Sequence, residues 1–283
     1  MRPTAILALF LASVGQPALA ASSPELIGLE RQLNSLVAGR AGEYGIAALD
    51  LRDGTNVSVN GDTAFPMAST VKVAIAATYL AQVDHGRRSL ANMIDGRSAA
   101  KLMELMITRS DNHATDELLH NLGGPSTVQQ WLSFNSVTGI RVDRTIAQLL
   151  RDPRELNDRH DVATPMAMVM LLRKIDSGNV LTADSRAALL QLMARCETGT
   201  RRIRALLPAG TRVEDKTGTL NGVTNDVGFI TMPDGHRVAV AVFARGGTER
   251  QRGIAEAARV IYDRFSAGVR SMYASLTTVN STP

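Results

Sequence analysis

The chain has 283 residues, 45% of them hydrophobic and 20% charged, with a formal net charge of +4. This is enough apolar material for one large domain or two modest ones, and it argues against bulk disorder. The charge rests on scattered arginines with few aromatics between them, which speaks against a nucleic-acid surface. The lone Cys196 excludes an internal disulfide and a thiolate metal site.

In chain order, "MRPTAILALFLASVGQPALA" combines one basic residue, an apolar stretch and the small-x-small ending Ala18-Leu19-Ala20. It reads as a signal peptide over residues 1–20, cleaved near Ala20. The apolar run is short of the ~20 residues that span a bilayer. A periplasmic or secreted protein without stable membrane insertion is therefore expected. Glu25–Ala38 reads as an amphipathic helix, with Leu26, Leu29, Leu33 and Leu36 at helical spacing. "YGIAALDL" (Tyr44–Leu51), the turn signal "DGT" and "NVSVN" (Asn56–Asn60) predict a β-hairpin. From Ser69 to about Ala194 the pattern is helical, punctuated by "DGRS", "LGGPST", "RDP" and "DSGN", with Pro125 at a first helical position. "NDVGFITM" (Asn225–Met232) and "HRVAVAVFA" (His236–Ala244) predict strands joined by the turn "PDG". A last helix fits Glu249–Phe265, with a fraying polar tail after it. The expected fold is α+β and two-lobed. Residues 21–66 and 199–283 form an antiparallel sheet flanked by helices, residues 67–198 an inserted all-α lobe, and a cleft lies between the lobes.

"FPMASTVKVAIAATYL" (Phe65–Leu80) carries the first chemistry. The chain has only four lysines, and one of them, Lys72, opens an apolar helix three residues after Ser69. One helical turn puts both side chains on one face. The helix N-terminus supplies free N–H groups and partial positive charge, a setting that favours an attacking serine oxygen. Lys72 serves as base only when neutral. Bringing a lysine from about 10.4 to about 7 costs some 4–5 kcal/mol, which a dry helix and a second nearby cation can supply. The same spacing recurs in "SAAK" (Ser98–Lys101), where Ser98 reads as a helix N-cap and Lys101 as solvated.

Two further motifs follow: "SDN" at Ser110–Asn112, between two helices, and "KTG" at Lys216–Gly218, followed by Thr219 at a strand start. With "FPMASTVK", "ITRSDNHATDELL", "LPAGTRVEDKTGT" and "NDVGFITMPDG", the chain resembles the class A β-lactamase family within the serine β-lactamase/penicillin-binding protein superfamily. The resemblance covers nearly all of residues 21–283 and implies the two-lobed fold above. It implies that Ser69 is the acylated nucleophile and Lys72 its proton acceptor. Ser110 would relay a proton to the leaving nitrogen, and Asn112 would hold a side-chain carbonyl of the substrate. Lys216, Thr217 and Thr219 would grip its carboxylate, with the Ser69 and Thr219 N–H groups as the oxyanion hole. Asp111 is expected to support its loop. Arg237, opening a strand taken to lie beside the KTG strand, is a candidate second cation for the carboxylate, with Arg245 competing.

The resemblance also asks for a glutamate four residues before an asparagine, to position the deacylating water. Here "ELN" stands at Glu155–Asn157, but Pro153 holds that position. Either Glu155 or Asp152 stands in for it, or nothing does; Glu155 is the candidate deacylation base, against the reading of a plain solvated carboxylate, and Arg151 with Asp161 resembles the ion pair that pins this loop. The span from Lys72 to Ser110 is shorter than the family's, and no aromatic precedes SDN, so a more open cleft is expected. The five histidines show no metal-ligand spacing, and neither a G-x-S-x-G elbow nor a phosphate loop is present. The reading is a secreted, monomeric hydrolase without metal or cofactor, acting on penicillins or cephalosporins. The alternative is a D,D-peptidase or esterase with weak β-lactam turnover, acting on a peptidoglycan-like peptide. A non-enzymatic sensor is disfavoured.

Overall fold

The structure, a computed structural model, describes residues 24–153 and 155–279; the expected signal peptide lies outside them. Helix α1 (Pro24–Ala38) buries Leu29 and Leu33, one turn apart, and leads to the hairpin β1 (Glu43–Asp50) and β2 (Asn56–Val59). Its turn works as the sequence suggests: Asp53 accepts from Thr55 N (2.8 Å), and Gly54 takes φ +81°. The short strand β3 (Phe65–Pro66) enters a 3₁₀ turn, Ala68–Val71, that runs directly into α2 (Lys72–Asp84). Helix α2 is buried from Lys72 through Ala81, so it is the axis of the helical side.

A small hairpin follows, β4 (Met93–Ile94) and β5 (Arg97–Ser98). Asp95 and Gly96 both take positive φ, +45° and +74°, as a two-residue hairpin loop of the mirror-image kind demands. Then come α3 (Ala99–Thr108), α4 (Asn112–Leu122) and α5 (Pro125–Phe134), where Pro125 occupies the first turn as expected. Next are α6 (Ile146–Arg151), opened by a Thr145/Gln148 capping box, and β6 (Val162–Ala163), which pairs with β3. The chain continues through α7 (Pro165–Asp176), α8 (Ala183–Ala194), a 3₁₀ turn at Ile203–Leu206, β7 (Val213–Leu220), β8 (Val223–Thr231), β9 (Arg237–Arg245) and α9 (Arg250–Val279).

The fold is α+β. The main sheet is antiparallel, in the order β2-β1-β9-β8-β7. One face packs Ile46, Ala48, Val240 and Val242 against α1 and α9. The other packs Ala47, Leu49, Val227, Ala239 and Phe243 against α7 and the helical side. The span 67–198 departs from an all-helical reading in two ways. It holds β4, β5 and β6, which are too short to show a period of two, and its α7 covers the sheet. The last helix runs on to Val279 instead of fraying after Phe265. Among the described residues no helix is long and apolar enough to cross a membrane.

Candidate active site

The 3₁₀ turn begins at Ala68, whose φ of +49° is strained for a residue with a Cβ. It presents Ser69 half-buried, with Lys72 N donating to Ser69 O as the turn becomes α2. Opposite, α3 ends and Ser110 turns the chain with φ +57°. Asp111 N-caps α4 by accepting from Ala114 N at 2.7 Å, the support expected of it, and Asn112 opens the helix. Strand β7 completes the group with Lys216.

These segments meet through hydrogen bonds. Lys72 Nζ donates to Ser110 O (2.7 Å), Ser110 Oγ (3.2 Å) and Asn112 Oδ1 (2.8 Å). Lys216 Nζ donates to the same Ser110 Oγ (3.0 Å) and to Thr217 O (2.9 Å). Ser110 thus bridges two lysines that are both 0% exposed. Burial, then the neighbouring Lys216 charge, lowers Lys72 to about 7, against the pull of Asp111 and Asp116. Burial also lowers Lys216 to about 8, although the Cys196 thiol and the Asp226 and Asp215 carboxylates oppose it. The result is an amine able to lose its proton near neutrality beside one that keeps it somewhat longer.

Behind β7, Thr217 is buried and its hydroxyl meets Thr198 Oγ1 at 2.5 Å, whereas Thr219 is exposed. The cation beside them is Arg202, which the sequence reading did not single out. It donates through Nη2 to Thr219 Oγ1 (2.6 Å) and through Nη1 to Gly218 O (3.0 Å) and Asn225 O (2.7 Å). Arg237, the residue expected in this role, sits at the far end of the sheet. β9 is separated from β7 by β8, and Arg237 pairs with Thr231 across the ladder, while Thr219 pairs with Thr224. The Arg237 side chain is committed to Asp176 and Glu214 and lies over the Phe229 ring. Arg245 is also engaged, with Glu43 (2.7 Å) and with the carbonyls of Ala64 (3.2 Å) and Leu156 (3.4 Å).

Gly218 shows why the motif carries a glycine. A Cβ there would lie 2.6 Å from Met67 O and 3.1 Å from Ala68 Cβ. Gly218→Ala should therefore drive β7 away from the turn that carries Ser69. We expect a loss of about 1–3 kcal/mol in denaturant unfolding, typical of overpacking.

The loop that was to hold the deacylating carboxylate is pinned by Arg144, not Arg151. Arg144 bonds Asp161 (2.6 Å), Asp158 (2.6 Å) and Asp152 (3.0 Å). These bonds raise the guanidinium further despite its partial burial. Asp158 falls to about 2 although burial opposes it, because the His160 N–H and Arg144 bind the ionised form. Asp116 fastens the start of α6 by accepting from Ile146 N (2.7 Å) and Ala147 N (2.8 Å). Asp152 is thereby committed to Arg144. Glu155 is exposed and has no ion pair or side-chain hydrogen bond among the described residues. It borders a cavity of about 20 Å³ shared with Ala68, Leu149, Asp158 and Leu220, room for one water.

The second Ser-x-x-Lys behaves as expected. Ser98 Oγ accepts from Lys101 N (3.2 Å), and Lys101 Nζ reaches Glu104 (2.8 Å). His113 meets Asp95 at 3.4 Å, with Glu117 nearby, in a largely exposed cluster.

A Ser-x-x-Lys turn, an SDN loop and a KTG strand gathered at the edge of this sheet define the serine β-lactamase and penicillin-binding class of proteins. The model of the β-lactamase enzyme family matches residues 28–265. A β-lactamase of Citrobacter koseri is 32% identical over 255 residues, covering 81% of this chain and 84% of that protein. The extended-spectrum β-lactamase PER-1 of Pseudomonas aeruginosa is 28% identical, covering 83% and 86%. Among solved structures, an ancestral class A β-lactamase designated GNCA superposes with a TM-score of 0.79 at 34% identity, over 83% of this chain and 99% of that one. The chain belongs to the class A β-lactamase family.

Proposed function

We propose that this protein hydrolyses the β-lactam amide of penicillins or cephalosporins through an acyl-enzyme on Ser69. The observation that carries the proposal is the shared contact of two buried lysines on Ser110 Oγ, next to the turn that presents Ser69. Neutral Lys72 takes the Ser69 proton as Oγ attacks the lactam carbonyl. The Ser69 and Thr219 N–H groups stabilise the oxyanion. The C–N bond breaks, and Ser110 passes a proton from the lysine pair to the departing nitrogen. Lys216, Thr217, Thr219 and Arg202 hold the substrate carboxylate, and Asn112 holds its side-chain amide. Glu155 then takes a proton from water in the cavity beside Ala68. The resulting hydroxide attacks the ester carbonyl, the C–Oγ bond breaks, and the proton that Glu155 accepted returns through Lys72 to the departing Ser69 oxygen. The helical segment 67–198 and the sheet segments 21–66 and 199–283 meet at these residues, which supports the two-lobed division. The N-terminal sequence pattern supports a periplasmic or secreted location after cleavage near Ala20.

One observation favours a second reading, a penicillin-binding-type enzyme that acylates and releases slowly: Arg144 sequesters three of the loop's carboxylates and Glu155 is exposed. Incubation of the protein with a chromogenic cephalosporin, followed by absorbance and intact mass, separates the two. Steady turnover supports hydrolysis. A stable adduct without turnover supports the second reading. Full turnover by Ser69→Ala would sink both.

A further inference from the structure

We propose that Asn225 is a positioning residue that sets the geometry of the oxyanion hole; this rests on the acyl-enzyme reading above. The two donors of that hole belong to different segments, Ser69 to the 3₁₀ turn and Thr219 to the end of β7. Their separation is not fixed by local chain geometry and has to be held by something that touches both. Asn225 does. It is fully buried on β8, directly opposite Gly218 of β7, on the face that glycine leaves open. Its Nδ2 donates to Pro66 O (2.8 Å) and Met67 O (3.0 Å), the two carbonyls just before the strained Ala68. Its Oδ1 accepts from Ala244 N on β9 (3.3 Å). The amide orientation follows from its partners, with nitrogen against two carbonyls and oxygen against an N–H. On the opposite side Arg202 clasps the carbonyls of Gly218 and Asn225.

A positive φ at a residue with a Cβ persists only where its surroundings over-determine it. Here Asp161 O accepts from Met67 N (2.8 Å), Thr70 Oγ donates back to Met67 O (2.8 Å), and Asn225 ties both preceding carbonyls to the sheet. Of these, only Asn225 connects the turn to the strand pair that carries Thr219. Without its amide, the turn and β7 keep their own structure and their packing at Gly218 but lose the hydrogen bonds that fix the two preceding carbonyls against the sheet. The carboxylate grip of Lys216 and Arg202 stays in place, so ground-state binding is spared while transition-state stabilisation falls.

The test uses Asn225→Leu, similar in length but without a donor, and Asn225→Ala as a second variant in case the leucine does not fold. Three quantities are measured on each folded variant: kcat for a chromogenic cephalosporin, affinity for a phenylboronic acid, and affinity for the penicilloate product. The boronic acid adds to Ser69 Oγ and presents a tetrahedral oxygen to the hole; penicilloate needs only the carboxylate grip. Expected are losses of about 10²-fold in kcat and boronate affinity, the scale of an ångström's misplacement, with penicilloate binding within about threefold of wild type. Variants that bind boronate like wild type, or that lose boronate and penicilloate affinity together, overturn the assignment. A wild-type protein that forms no boronate adduct overturns the acyl-enzyme reading, and this inference with it.

Discussion

Lys72→Met is expected to lower kcat/KM for a chromogenic cephalosporin by about 10²–10⁴-fold, the range for removing a general base. Methionine fills similar space in the dry front of α2, so helix and core should survive and the loss should be chemical. The sharper expectation is in the pH profile. A protonated Lys72 cannot accept the Ser69 proton. With Lys72 held at about 7, wild-type activity should fall by about tenfold per pH unit below that point. In the proposed mechanism Lys216 must keep its charge to hold the substrate carboxylate. With that amine held at about 8, kcat/KM should decline again on the alkaline side. The optimum lies between the two. Both amines bond Ser110 Oγ, so the two limbs belong to the pair rather than to either lysine. Lys72→Met should lose the acid limb and keep the alkaline one. An unchanged acid limb in the variant would remove Lys72 from the role of base.

What the sequence displayed and what it hid divide along a physical line. Lys72 at the head of a buried helix just after Ser69, and Ser98 as a helix cap, are matters of one helical turn, and local periodicity carries them. The hairpin of β1 and β2 was legible because alternation and a turn signal coincide. Strand order is non-local, and that misplaced Arg237: sequence shows that β9 follows β8, not that β8 separates it from β7. The pin of the loop failed for a similar reason. Arg151 and Arg144 both precede Asp161, and only the path through α6, capped by Thr145 and fastened by Asp116, brings Arg144 to it. Arg202 and Asn225 act across strands, on backbone carbonyls that no side-chain motif records. Asn225 stands in the polar run Thr224-Asn225-Asp226 near the start of β8, and nothing in that run singles it out.

The second large effect is expected at Glu155. Glu155→Gln should leave acylation near the wild-type rate and slow release of the acyl group by about 10²–10⁴-fold, so that intact mass shows the adduct accumulating on Ser69. Asp161, Asp158 and Asp152 all face Arg144, and an acid ion-paired to a guanidinium is a poor proton acceptor. Asp143 is tied to Arg141 at 2.7 Å. Among the described residues of the loop, Glu155 alone combines an uncommitted carboxylate with a place on the water-sized cavity beside Ala68. Asp152→Asn is the control: it removes one of several bonds to Arg144 and should change release by less than about threefold if Glu155 activates the water. The reverse pattern, with Asp152→Asn trapping the adduct and Glu155→Gln turning over freely, would move the base to Asp152 and require Arg144 to release it during each cycle. If neither substitution slows release and wild type already accumulates the adduct, the loop supplies no base. The protein is then a member of its family that acylates and releases slowly.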